Sequence, residues 1–309
     1  MAASPSTIAA PELYSHPARR ASLGEGLWVS RLLPSRQQRM VGAWCFADHF
    51  GPSPVPPGKK AMDVAPHPHT GLQTVTWLLD GELLHNDSLG SRSIIRPGEL
   101  NLMTAGHGIS HAEETPPEHS NNLHGLQLWL ALPDNQRNCE PSFQHHRELP
   151  RLDEDGSRLQ VFIGSLGELY SPAQVFSPVV AAAISLQAGA GTRLPLNADW
   201  EYALIIVEGE LQVTGTQQSL GTEALHYLAP GAQQLDLVSD TAARAILIGG
   251  APFTEAIVMW WNFVGRSAED ITQARADWQA GATSVLPYLM YRYRMDELVQ
   301  MAFRSRSLT

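Results

Sequence analysis

From Leu27 onward the chain is cut into short apolar runs by clusters of turn-forming residues, a rhythm that leaves little room for helices. TVTWLL (residues 74–79), SIIRPGELNLM (93–103) and LHGLQLWLAL (123–132) alternate with DG, LGS, RPG and AGHG. Runs of this length bounded by Gly and Pro are what antiparallel strands need. An all-β fold is the expectation.

The texture then repeats. LQVFIG, VVAAAISLQAGAG, YALIIVEGELQVTG, ALHYLAPGAQQLDLV and ARAILIGG fill the second half. VTWLLDGELLHND (75–87) and LIIVEGELQVTG (204–215) share a strand, an acidic-Gly turn and a second strand, read as a hairpin, and each is followed by a Pro-Gly turn. Duplication of this kind predicts two tandem jelly-roll-like β-barrels, one per half. The charged stretch QHHRELPRLDEDG (144–156) reads as a linker and puts a boundary near residue 150, giving domains 1–150 and 151–309. The first twenty residues, rich in Ala, Pro and Ser, read as a flexible arm. SAEDITQARADWQAG (267–281) has Ser at an N-cap position, acids in the first turn and a closing Gly, and predicts a C-terminal helix. PYLMYRYRMDELVQMAF (287–303) extends that expectation of helix into the tail.

Composition excludes several classes. With 21 basic against 31 acidic residues the formal charge is -10, which repels nucleic acid phosphates and anionic lipid and suits a small uncharged or apolar ligand. Two cysteines, Cys45 and Cys139, make no disulfide framework and read as reduced thiols. The start of the chain lacks a secretory pattern and no run of eighteen apolar residues occurs, so a cytoplasmic protein is expected. No GxSxG, P-loop or GxGxxG stands in strand-to-helix context. Met259 to Trp261 read as core.

PHPHTG (66–71) carries the chemistry. On a strand, residues two apart point the same way, so His67 and His69 project together, and Pro68 stiffens the spacing without taking a ladder hydrogen bond. A second such pair, His111 and Glu113, follows the AGHG turn. An isolated HPH among twelve histidines is weak evidence. Two inward-facing pairs on neighbouring strands, however, would bring three imidazoles and a carboxylate to one point, a mononuclear metal site with two positions of an octahedral ion left open. A purely structural ion would instead close its shell with protein atoms.

HPHTGLQTVTWLLDGELLHNDSLG, RPGELNLMTAGHGISHAEE and LHGLQLWLAL, extended by WCFADHFGP and GGAPFTEAIVMWWNFVGRSAEDITQARADWQAG, resemble the pirin family of the cupin superfamily. The resemblance implies two cupin barrels with one metal in the first, held by His67, His69, His111 and Glu113. Fe(II) is the favoured ion, although Cu, Ni, Zn or Mn also suit such ligands. It further implies quercetinase-type oxygenation, with a flavonol-like aromatic substrate, O2 and Glu113 doubling as the base. The other function the family suggests is a metal- or redox-dependent regulator that binds a protein partner. Thr70 and His107 depart from the family's larger residue and Arg, and Gln73 stands where a carboxylate is usual, which leaves Glu113 as the only anionic ligand.

The second half reads RLPLNADWEYALIIVEG at the matching place, without HxH, so no second metal is expected and its barrel reads as scaffold. Glu201, Tyr202 and His226 are its nearby polar residues. His49 and His124 are expected in core or supporting positions, His85 in its strand, and His145 and His146 in solvent.

Overall fold

Alternation of apolar and polar residues at the edges, and continuous apolar runs such as Val179–Leu186 in the centre, produce the strands of this computed structural model, which describes residues 11–23 and 27–281. The chain forms two compact units that do not follow one cut along the sequence. One gathers residues 11–18 with Pro150–Ser171 and Pro178–Pro252. The other gathers the described residues of Arg19–Leu149, Pro172–Ser177 and residues 253–281.

In the unit built mainly from the first half, one sheet runs Ser142–His146, Leu100–Thr104, Leu72–Asp80, Asn122–Ala131, Trp44–Pro54, Leu27–Leu33, Arg19–Leu23. A second runs Asp63–His69, Ile109–Glu114, Leu83–Asp87, Arg92–Ile95. The other unit has the same plan. Its large sheet runs Tyr14–Pro17, Ala224–Leu228, Glu201–Glu208, Ala243–Gly250, Val179–Leu186, Ser157–Leu166, Arg151–Glu154, and its small one Gly191–Pro195, Gln234–Val238, Leu211–Val213, Ser219–Leu220. The fold is all-β and doubly cupin-like, but the sheets do not close: each ends on edge strands, and open sheets replace the expected closed barrels.

The acidic-Gly turns are not hairpins. Leu72–Asp80 and Leu83–Asp87 lie in different sheets, as do Glu201–Glu208 and Leu211–Val213. Gly81 and Gly209 carry the chain across with φ of 89° and 72°. A Cβ there would meet the Asn122 or Ala242 carbonyl oxygen at 2.3 or 2.4 Å, so only glycine fits either crossing.

Two further expectations are corrected. Tyr14–Pro17, inside the supposed flexible arm, pairs with Ala224–Leu228, tied by Ser15 Oγ to His226 Nδ1 at 2.8 Å. Within the supposed linker, Ser142–His146 and Arg151–Glu154 are strands, because each offers a backbone edge to a sheet. His145 is accordingly not solvated: its Nδ1 meets Asn101 Oδ1 at 2.7 Å. The Met259 to Trp261 stretch forms a short ribbon, Val258–Trp260 with Phe263–Gly265, in which Met259 packs against the core as expected while Trp260 is exposed and Trp261 has φ 53°. The helix spans Ala268–Gln279, with Ser267 and Asp270 forming a capping box and Trp278 buried. Residues 287–303 lie outside the described residues. Among the described residues no helix is long and apolar enough to cross a membrane.

Candidate metal centre

Strand register builds the site. His111 lies directly opposite His67 on one side and Asp87 on the other, and Glu113 lies opposite His85. A bulge between His111 and Glu113 shifts the pairing so that Glu113 meets Val64. The rings of His67 and His111 are 4.4 Å apart, those of His67 and His69 4.9 Å, and those of His69 and His111 5.0 Å.

The nitrogens are aimed. His67 Nδ1 donates to the Ala65 carbonyl at 2.9 Å, which leaves Nε2 as the lone-pair nitrogen. His69 Nε2 and His111 Nε2 face each other at 3.1 Å. Two imidazole nitrogens so close share either the N–H of one ring or a cation between two lone pairs. With metal–nitrogen bonds of about 2.1 Å, cis ligands sit about 3.0 Å apart, so the pair fits one divalent ion. Burial pushes His67 down to about 4, and holds His69 and His111 well below the usual imidazole range, with His67 adding to the effect at both. The three rings are therefore neutral, as ligands must be.

Not all four expected ligands converge equally. His67, His69 and His111 offer nitrogens within 4.8 Å of one another, whereas Glu113 is grouped with His111 and His85. Glu113 is buried, and that burial raises its carboxyl above the ordinary range against the opposing effects of His85 and the Thr76 hydroxyl. Thr76 Oγ1 donates to Glu113 Oε1 at 3.1 Å, and lies 3.0 Å from Gln127 Oε1. One hydroxyl proton serves one acceptor. With Glu113 taking it, satisfying the second contact requires the Gln127 amide turned over, with its NH2 toward Thr76.

Thr76 and Gln127 belong to a polar row across the large sheet: Arg31, Asp48, Gln127, Thr76, Asn101 and His145 are successive register partners. Arg31 binds buried Asp48 through two bonds of 2.8 and 2.7 Å. The row divides the apolar core into one cluster around Phe50, Leu78 and Ile95 and another around Cys45, Met103 and Ile109. Beside the imidazoles, Trp129 meets the His69 ring edge-on at 5.2 Å and stacks on Phe46 at 4.1 Å.

Other candidates lie elsewhere. By alternation Gln73 is on the strand face opposite Thr76, and its amide donates to Thr104 Oγ1 and the Gln174 carbonyl. His107 is exposed beside Glu140 at 3.3 Å, and Thr70 bridges to Phe263. Buried His49 and His124 face each other through Nε2 at 2.7 Å. In the other unit, Glu201 accepts from Tyr227 at 2.7 Å and the Tyr202 hydroxyl accepts from the Asn197 N–H at 2.8 Å, so both serve structure. Sequence reasoning missed His85, although HND (85–87) repeats the two-apart spacing of HPH and HAE.

Two open cupin sandwiches, one carrying a histidine cluster suited to a divalent ion, define the class: a bicupin. The family model described as Pirin matches residues 26–130, and that of the Pirin C-terminal cupin domain matches residues 181–284. A Caulobacter vibrioides pirin-like protein is 39% identical over 270 residues, covering 85% of this chain and 92% of its own. A Pseudomonas aeruginosa protein named provisionally as a quercetin 2,3-dioxygenase is 46% identical over 276 residues, 88% of this chain and 86% of its own. A crystal structure of quercetin 2,3-dioxygenase from Acinetobacter baumannii superimposes with a TM-score of 0.82 at 43% identity, covering 86% of this chain and 88% of that one. The chain belongs to the pirin family.

Proposed function

We propose that this protein is a metal-dependent dioxygenase of the quercetinase type, which opens a flavonol-like aromatic substrate with O2 at one iron(II) held by His67, His69, His111 and Glu113. The observation that carries the reading is the 3.1 Å approach of His69 Nε2 to His111 Nε2 beside a His67 whose Nδ1 is already occupied. Relatives bearing the quercetin dioxygenase name support it. When bound, the ion supplies Lewis acidity toward an anionic substrate oxygen and an electron partner for O2.

The chain's own residues do the rest. Burial of His69 and His111, with His67 half-buried beside them, keeps the three imidazoles unprotonated. Glu113 takes the proton of the substrate hydroxyl. Thr76 holds its Oε1, leaving Oε2 to accept. Trp129, edge-on to His69, and Phe143, stacked on His85 at 4.4 Å, give the site an aromatic wall.

The test is direct. Iron(II)-loaded protein mixed with quercetin in air should bleach the flavonol absorbance catalytically. Protein shown to carry one iron per chain that leaves the absorbance unchanged would sink the assignment and favour the regulatory role.

A further inference from the structure

We propose that His85, held by Asp87, is a positioning residue that locks the His111 ring with its Nε2 lone pair toward His67 and His69. This rests on the metal reading above. The chain of bonds begins at a fixed carboxylate. Asp87 Oδ1 accepts the backbone N–H groups of Leu89 at 2.9 Å and Ser91 at 3.0 Å, and Oδ2 faces His85 Nε2 at 3.1 Å. An ionised carboxylate only accepts, so a neutral His85 carries its proton on Nε2 and a lone pair on Nδ1. That Nδ1 lies 3.3 Å from His111 Nδ1, which must then be the donor. His111 is thereby left with its lone pair on Nε2, the atom 3.1 Å from His69 Nε2.

The arrangement is held on every side. The His85 ring stacks on Phe143 at 4.4 Å with planes 10° apart, and strand register sets His85 opposite Glu113 and Asp87 opposite His111. Packing alone does not require an imidazole there. At the equivalent place in the other unit, the residue paired with Leu237 as His85 is paired with Glu113 is buried Val213. A direct ligand role for His85, suggested by its nearness to His111 and Glu113, would use the same Nδ1 that receives the His111 proton. Orienting a ligand through its second ring nitrogen is how protein groups outside the coordination shell tune metal affinity, typically by about 10- to 100-fold.

The experiment compares the full chain with His85→Phe, which keeps the stack on Phe143 but removes the acceptor, and His85→Gln, whose carbonyl oxygen restores an acceptor. Co(II) alone is the probe, and its dissociation constant is read from its visible spectrum. Circular dichroism verifies folding, and 1H–15N correlation spectra of the metal-free proteins report which His111 nitrogen carries the proton. The expected result is His111 protonated on Nδ1 in the wild type, Co(II) binding weakened by about 10- to 100-fold in His85→Phe, and most of the affinity recovered in His85→Gln. An unchanged Co(II) constant in folded His85→Phe, or a wild-type His111 protonated on Nε2, overturns the proposal. So does a Gln variant no better than Phe, which would make His85 a ligand. A wild type that binds no Co(II) while His111 is protonated on Nδ1 would instead overturn the metal reading and leave the hydrogen-bond assignment standing.

Discussion

The two units place opposite chemistry on the same strands. In the small sheet of the first, His67 is paired with His111 and Glu113 with His85. In that of the second, Leu194 is paired with Leu235 and Leu237 with Val213. HPH has become LPL, and HAE has become LDL. Across the large sheet the row Arg31, Asp48, Gln127, Thr76 has as its counterpart Val161, Ala182, Leu247, Leu204. Those residues join one continuous apolar core, whereas the polar row splits the other. Only at the edge does polarity persist, with Asn101 bound to His145 in one unit and His226 bound to Ser15 in the other.

The difference teaches what the polar row is for. Burying polar groups costs free energy unless each is partnered, and the second unit demonstrates that the scaffold packs without them. The first unit carries that cost where it has a ligand to hold. Apolar residues make the cupin; imidazoles and carboxylates make the site.

The comparison can be broken at Glu113, where the largest effect is expected. Glu113→Gln removes the proposed base but keeps shape, and should lower kcat by about 10²- to 10⁴-fold while most of the metal is retained. Steady-state kinetics beside metal analysis checks this; full turnover at full occupancy would remove Glu113 from the proton transfer.

Acid should separate the two units next. Burial pushes His49 and His67 down to about 4 and lowers His69 and His111 as well, from a usual value of 6.5. Between those limits the unfolded chain binds protons that the folded unit refuses, so stability is present above pH 6.5 and lost as pH falls toward 4. Glu113 and Asp48, both raised by burial, work the other way, but they are two groups against four. In metal-free protein, hydrogen exchange should find the strands carrying these histidines losing protection first as the pH drops. Equal loss in Glu201–Glu208 and Ala243–Gly250 would count against it.

A smaller effect tests the reverse substitution. Leu247→Gln puts the counterpart of Gln127 beside Leu204 and Ala182, which offer no side-chain partner, and should destabilise by about 1–3 kcal/mol for the unsatisfied amide. Urea denaturation measures it, and a neutral result would mean that polarity in this row is tolerated rather than selected.

Much of this was legible in the sequence, for reasons that differ by residue. The period-two spacing of His67 with His69 and of His111 with Glu113 is local, so alternation alone put each pair on one face. LPL put two leucines at the matching place of the other half in the same way. The sheet crossing at Gly81 was not legible, because a DG turn serves a hairpin and a crossover alike until the Asn122 carbonyl is in place. The polar row was hidden because its members sit on strands that meet only in the folded sheet: Arg31 to His145 spans 114 positions, a difference of 145 and 31. His85 carried the right spacing with Asp87, but its target, His111, is set by strand order rather than by sequence distance.

The central claim is that neutral imidazoles of the first unit hold one divalent ion. It is tested by metal analysis of protein purified without chelators or nickel resin, alongside the triple variant His67→Leu, His69→Leu, His111→Leu, which copies the apolar character of the second unit. The account predicts one metal per wild-type chain, none in the folded variant, and a metal-free variant at least as stable as metal-free wild type, since apolar residues replacing buried polar groups are often neutral or stabilising by about 1–4 kcal/mol. A wild type without metal, or a variant that keeps its full complement, would contradict it.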